Sequence, residues 1–353
     1  MSRYFNPRLA GIEPYVPGEQ PRDAVYIKLN TNESPFPPAP GVIAVLSSEE
    51  VEKLRLYSDP TAREAVEAIA AYYGVDPACV FVGNGSDEVL AFAFYAYGAD
   101  GFVGPEVSYG FYPVFAAFFG IPYRTLPLRE DLSVDPLAFH TVRESVVLAN
   151  PNAQTGTLLT PAEIEGILQA HEAPVIVDEA YIDFGGESVI PLTAKYSNLL
   201  VTGTFSKSRN LAGARIGFAI GDPALIADLN RLRFSFNPYN LNRLSILAAR
   251  EAMRDAAYFR NCTAQIIENR EYTAAALREM GYTMTASHAN FLLARSPRIG
   301  GGALYAALKA RGILVRHLSD ALITDYIRIT VGTREQMDSL LCALRDIEKE
   351  AVQ

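Results

Sequence analysis

Val175-Ile176-Val177-Asp178-Glu179-Ala180-Tyr181 sets three branched apolar residues directly before two carboxylates. A short run that is apolar on both faces fits a strand covered on both sides, and its branched residues favour extended backbone. Residues 101–104, 146–149, 199–202 and 216–219 form similar runs that end in or near Gly, Pro, Asn or Asp. Helical patterns over residues 62–73, 87–97 and 161–171 are interspersed among them. This alternation predicts buried parallel strands joined by crossover helices, the α/β class.

Outward from that centre the chain divides into three parts. Residues 1–40 are rich in Pro and Gly, which disfavours regular elements and predicts an arm lying on the small domain and on a dimer partner. Residues 41–243 hold the strand–helix alternation and form the expected large domain. A break at Ser235-Phe236-Asn237-Pro238-Tyr239-Asn240 precedes a long helical stretch over 244–280. After it, Phe291-Leu292-Leu293 and Tyr326-Ile327-Arg328-Ile329-Thr330 read as strands of a different, alternating sheet, giving a smaller α+β domain over 244–353.

Composition narrows the function. The chain has 353 residues, 49% apolar and 20% charged, enough for a large core without staples. Cys79, Cys262 and Cys342 are scattered and accompanied by only four histidines, which suggests neither a disulfide framework nor a metal site. The net charge of −9 is spread along the chain with no basic run, so nucleic acid is not an expected partner. No window approaches the roughly 18 uninterrupted apolar residues of a membrane span, and a cytoplasmic location is expected.

The chemistry concentrates in a few motifs. Thr204-Phe205-Ser206-Lys207-Ser208-Arg209-Asn210-Leu211-Ala212-Gly213-Ala214-Arg215-Ile216-Gly217 directly follows a buried strand. An amine at a sheet's mouth can be desolvated, as an imine-forming lysine requires, and the Thr204 and Ser206 hydroxyls with the Arg215 fork suit a phosphate. Standing alone, Lys207 would be an ordinary surface lysine. Asp178 ends a strand at a depth where a carboxylate is costly without a cation, and Tyr181 follows it. In Gly83-Asn84-Gly85-Ser86-Asp87-Glu88 a glycine turn opens a helix, which is a phosphate seat or, alone, a plain N-cap. Tyr109 follows a strand end and can stack on a flat ring. Asn150-Pro151-Asn152-Ala153-Gln154-Thr155-Gly156 is a turn at the same edge. Arg328 sits inside an apolar strand pattern, where an unpaired cation is expensive unless an anionic substrate group or a salt bridge meets it.

In this order these motifs, with Arg328-Ile329-Thr330-Val331-Gly332-Thr333, resemble the fold-type-I pyridoxal-phosphate aminotransferases of class II. Pro14-Tyr15, Leu29-Asn30-Thr31-Asn32-Glu33-Ser34-Pro35 and Arg55-Leu56-Tyr57-Ser58-Asp59-Pro60 make the histidinol-phosphate branch the nearest likeness, from about residue 14 onward. The resemblance implies pyridoxal 5′-phosphate as cofactor, with Lys207 as the Schiff-base lysine, Asp178 on the pyridine nitrogen, Tyr181 on the ring oxygen and Tyr109 stacked on the ring. It implies Gly85, Ser86, Asp87, Thr204, Ser206 and Arg215 around the cofactor phosphate, and a homodimer in which Tyr57 reaches the neighbouring subunit's phosphate. It also implies that Arg328, with Arg316, Tyr15 and Asn32, receives the substrates, histidinol phosphate and glutamate or 2-oxoglutarate, in a ping-pong transamination. One departure stands out: the usual Asn-Asn-Pro-Thr-Gly is here Asn152-Ala153-Gln154-Thr155-Gly156, so Asn152 is the candidate for the ring-oxygen contact that Ala153 cannot make. The same scaffold also carries aromatic amino-acid aminotransferases and threonine-phosphate decarboxylases.

Overall fold

The computed structural model describes residues 6, 9–21 and 23–351, so the reading of the arm at residues 1–5, 7, 8 and 22 lies outside the described residues. The strands are β1 (Ile27–Lys28), β2 (Val80–Gly83), β3 (Phe102–Pro105), β4 (Tyr123–Leu126), β5 (Ser145–Ala149), β6 (Val175–Asp178), β7 (Leu199–Thr204), β8 (Gly217–Gly221), β9 (Thr283–Met284), β10 (Phe291–Arg295), β11 (Ile313–Leu314), β12 (Arg316–His317) and β13 (Ile327–Thr330). The helices are α1 (Pro40–Leu46), α2 (Arg63–Tyr73), α3 (Ser86–Tyr97), α4 (Tyr112–Phe119), α5 (Pro161–Ala170), α6 (Pro223–Phe236), α7 (Arg243–Arg254), α8 (Ala256–Glu279), α9 (Gly301–Ala310) and α10 (Arg334–Glu350). Local chemistry sets several ends: Thr160 and Glu163 form a capping box ahead of Pro161, and Gly74 closes α2 in the left-handed region.

The central sheet has the order β2-β8-β7-β6-β5-β3-β4. Every strand runs parallel except β8, which is antiparallel to both β2 and β7. The expectation of a parallel strand at residues 216–219 is therefore corrected. The segment between β7 and β8 contains no crossover helix, and without one the chain can only return antiparallel.

Alternation along the strands divides the core. Phe81, Val147, Ile176 and Leu200 face α3, α4 and α6, whereas Val82, Val146, Val175 and Val201 face α1, α2, α5 and α7. A second sheet, β12-β13-β10-β9, is antiparallel and is covered by α8, α9 and α10. The helical stretch expected over 244–280 breaks at Asp255, which caps α8. Its first half, α7, buries Ile246, Ala248, Ala249 and Ala252 in the large sheet's core, so the chain leaves that core at α8 and not at residue 244. The arm is tied to the second sheet's side of the molecule: β1 pairs with β11, and Thr330 N donates to Leu29 O at 2.9 Å.

With a single strand reversed, β2, β3, β5, β6 and β7 all end at one edge of the sheet. In open α/β sheets ligands bind in the crevice outside those carboxyl ends. The candidate motifs follow from that edge.

Candidate active site

Asp178 ends β6 and is buried. Its Oδ2 accepts from the Tyr112 hydroxyl at 3.1 Å, and its Oδ1 accepts from Ala180 N and Thr202 Oγ1, each at 3.3 Å. Burial pushes its carboxyl up to about 6, because these hydrogen bonds only partly replace the water it lost. None of the ion pairs among the described residues involves it. Glu179, next along, turns to the other side, where it accepts from Ser188 Oγ at 2.6 Å and Val189 N at 2.7 Å while burial pushes it up to about 8.

Lys207 lies in the loop between β7 and β8. Its Nζ donates to Thr31 O at 3.2 Å and lies 5.8 Å from the centre of the Tyr181 ring. Its neighbours pin the loop: Ser208 donates to Asp183 at 2.5 Å, and the Arg209 guanidinium lies 3.5 Å from the Phe259 ring centre. The Tyr181 hydroxyl accepts from Asn32 Nδ2 at 3.1 Å. Asn32 itself sits in the left-handed region at φ 53°, where Thr330 Oγ1 accepts from its backbone N–H at 2.9 Å and donates to its Oδ1 at 3.0 Å.

The turn between β2 and α3 brings Gly85 and Ser86 beneath Arg215. Gly85 has φ 80°, and a Cβ there would lie 2.5 Å from Arg215 Nη2. Asp87 accepts from Arg215 Nη2 at 2.9 Å and from the Tyr109 hydroxyl at 2.6 Å, locking both side chains over the helix start. Burial, then the Asp87 charge, raises the Tyr109 pKa and keeps it a neutral phenol. Ser86, Asp87, Tyr109, Asp178, Tyr181, Thr204, Ser206, Lys207 and Arg215 all line one cavity of about 320 Å³.

The sequence matches the aminotransferase class I and II family over residues 24–344. The chain belongs to the class I and II aminotransferases. It is 47% identical to the histidinol-phosphate aminotransferase of Chromohalobacter salexigens, over 98% of this chain and 99% of the relative. It is 44% identical to that of Brachyspira hyodysenteriae, over 99% of this chain and all of the relative. Its fold matches the crystal structure of histidinol-phosphate aminotransferase from Sinorhizobium meliloti in complex with pyridoxal-5′-phosphate with a TM-score of 0.89, at 24% identity and 99% coverage of both chains.

In this aminotransferase a pair of cations lies on the second sheet, and one of them, Arg328, reaches Ala153 of the cavity lining. Arg316 and Arg328 stand directly opposite each other across β12 and β13. Like charges in such a pair repel unless something anionic meets them. Arg328 donates from Nη1 to Ala153 O at 3.0 Å and to Gln154 Oε1 at 2.7 Å, and its buried Nε has no partner among the described residues. Burial lowers its pKa, and the Arg316 charge adds to that. Arg316 donates to Val16 O at 2.9 Å and Pro17 O at 3.2 Å, which holds the arm against it. Tyr15, two residues before Pro17, packs its ring 4.5 Å from that of Phe111.

Of the other expected site residues, Gly85, Asn32, Tyr15, Arg316 and Arg328 do not line the cavity themselves, and Asn152 and Tyr57 are engaged with other partners. Asn152 is fully buried and outside the cavity lining: its amide donates to Val107 O at 2.9 Å, and its Oδ1 accepts from Gln154 N at 2.9 Å and Thr155 N at 3.1 Å. The expected ring-oxygen contact is corrected, because the turn consumes that side chain and Ala153 alone lines the cavity there. Tyr57 is 82% exposed and stacks on Tyr239 at 4.5 Å, away from its own chain's cavity. Sequence reading missed Tyr112 and Thr202, which hold Asp178, and Glu33, which lines the cavity. Against its burial, hydrogen bonds from Lys28 and Thr31 keep Glu33 below the usual carboxylate range. The nearest signal was Glu33's place in the Asn32-Glu33-Ser34-Pro35 motif.

Proposed function

We propose that this aminotransferase moves an amino group between histidinol phosphate and 2-oxoglutarate, with pyridoxal 5′-phosphate held at Lys207 in the cavity at the sheet's carboxyl edge. The observation that carries the reading is that a lysine amine and a buried carboxylate without a cation line one cavity whose rim is a glycine-opened helix start with an arginine over it. Such a cavity fits a flat ring with a basic nitrogen at one end and a phosphate at the other. When bound, this cofactor supplies an electron-withdrawing ring that stabilises negative charge on the substrate carbon.

The residues divide the work. Asp178, charged when a cation faces it, would keep the ring nitrogen protonated, while Tyr112 and Thr202 hold its oxygens in place. Lys207 Nζ would hold the cofactor's aldehyde carbon, and its amine would move the proton at the donor carbon as general base and acid. The Tyr181 hydroxyl, steadied by Asn32, donates to the ring oxygen. Tyr109 would cover one ring face, and Gly85, Ser86, Asp87, Thr204, Ser206 and Arg215 would seat the phosphate. Arg328, with Arg316 and Tyr15, receives the phosphate monoester of one substrate and a carboxylate of the other, so two half-reactions share one cation. The names of the relatives, at 44–47% identity over essentially the whole chain, support histidinol phosphate as the donor.

A homodimer completes the proposed site, with Tyr57 of each chain reaching the neighbour's phosphate seat; its exposure supports this. We also propose a cytoplasmic location; no helix among the described residues is long and apolar enough to cross a membrane.

Lys207→Ala tests the reading. The purified variant should lose both turnover and the visible absorbance of the lysine-bound cofactor, and survival of both would remove Lys207 from its role. Single-turnover bleaching of the wild-type band should be fastest with histidinol phosphate. A faster response to aromatic amino acids, or carbon dioxide release from threonine phosphate, would reassign the substrate.

A further inference from the structure

Arg328 is a cation without an acidic partner among the described residues, yet its Nη1 is not free. Gln154 Oε1 accepts from it at 2.7 Å, a distance typical of a charge-assisted bond. Resting on the reading of Arg328 as the substrate's anion receptor, we infer that Gln154 is a displaceable stand-in for the substrate anion and thereby sets how tightly anions bind.

The chemistry of the contact favours exchange. A neutral amide oxygen satisfies a guanidinium donor without cancelling its charge, so Arg328 stays electropositive while it waits. A glutamate in the same position would pair permanently, and an apolar residue would leave a half-buried donor unmet. Room exists for the amide to move: besides meeting Arg328, Gln154 lines a groove of about 370 Å³ beside the cavity, together with Ser108, Ser319 and Asp320. The backbone of Gln154 is fixed independently of its side chain, since its N–H is held by Asn152 Oδ1 at 2.9 Å. Exchange therefore requires only side-chain torsions. Such a device suits a site that must release a carboxylate and then accept a phosphate monoester, because the cation is satisfied in the interval between them.

The test is calorimetric titration of the holoenzyme with succinate and, separately, with inorganic phosphate, neither of which carries an amino or keto group. Removing the resident acceptor in Gln154→Ala should tighten both probes by about fivefold, the worth of a hydrogen bond no longer displaced. Gln154→Met keeps the side chain's bulk and should do the same, which covers the case in which the alanine variant folds poorly. Gln154→Glu should weaken both by more than about tenfold. Arg328→Ala should abolish binding whatever stands at 154. Loss of binding in Arg328→Ala with no tightening in either neutral variant would overturn the exchange while leaving the anion receptor intact. Unchanged binding in Arg328→Ala would overturn the receptor itself, and the exchange with it.

Discussion

The Tyr112 hydroxyl donates to Asp178 Oδ2 at 3.1 Å, joining the first turn of α4 to the last residue of β6. Both groups are buried, and their effects on each other are opposite: burial and the Asp178 charge raise the Tyr112 pKa, whereas the Tyr112 hydrogen bond pulls the Asp178 pKa down and only partly offsets the burial that pushes it up to about 6. The phenol therefore remains a fixed donor, and the carboxylate is kept in a place where its charge is poorly solvated. That is a cost to the fold that the proposed cationic ring nitrogen would remove on binding.

The cost has a sign that can be measured. Between about 4 and about 6 the folded chain keeps a proton on Asp178 that the unfolded chain has lost, so stability falls as pH rises through that window and stays low above it. The rise from 3.8 to about 6 corresponds to about 3 kcal/mol as an upper bound. Asp178→Asn, stripped of cofactor, should thus melt at a higher temperature than cofactor-free wild type at pH 8, with the gap shrinking toward pH 4, although its turnover is lost. A gap that is constant or reversed across pH would clear Asp178 of the penalty.

The readable part of the site was local in sequence. Val175-Ile176-Val177 ending in Asp178, and Lys207 between a strand and Arg215, announce themselves because strand, breaker and charged group are adjacent. Tyr112 does not, reaching Asp178 from 66 residues away and looking ordinary in its own segment; Asn32 was expected among the substrate residues, but its contact with Tyr181, 149 residues away, was not. The same limit hid part of the sheet. Edge strand β4 exposes Arg124 and Thr125, which blurs its apolar signal, and the reversal of β8 depends on a connection whose shape no run of residues displays. Asn152 misled for the opposite reason, since its residue type suits both a ring contact and a turn, and only the positions of Val107 and Thr155 decide between them.

Gly217 should prove intolerant of any side chain. A Cβ there would sit 2.2 Å from Ser86 N and 2.4 Å from Gly85 C, both backbone atoms of the helix start proposed to seat the phosphate. Gly217→Ala must therefore push the helix start away from Arg215, costing about 1–3 kcal/mol and loosening the cofactor. Thermal melts and cofactor retained after dialysis measure both effects. Gly213→Ala is the control, because nothing lies within 4 Å of a Cβ at that position; equal loss in the two variants would refute the steric account.

Arg328→Lys separates charge from shape. Lysine keeps the cation but loses the fork, so kcat/KM should fall roughly ten- to a hundredfold, mostly through KM. The fall should appear with histidinol phosphate and with 2-oxoglutarate alike if, as proposed, one guanidinium serves both half-reactions. A loss confined to one substrate would mean that the other is bound elsewhere, with Arg316 the next cation to examine.

Tyr57 supplies the sharpest test of assembly. It is 82% exposed, stacked on the half-exposed Tyr239, with Leu54, Leu56 and Phe236 also exposed. A surface of that kind is seldom left to water. If Tyr57 serves the neighbour's cavity, then Lys207→Ala and Tyr57→Ala lie in different sites of a mixed dimer: one site carries both defects and the other carries none. Equal amounts of the two variants, unfolded and refolded together, should regain activity in about a quarter of the sites, well above the sum of the separate preparations. If Tyr57 instead served its own chain, every site in the mixture would still lack either the amine or the phenol, and mixing would restore nothing.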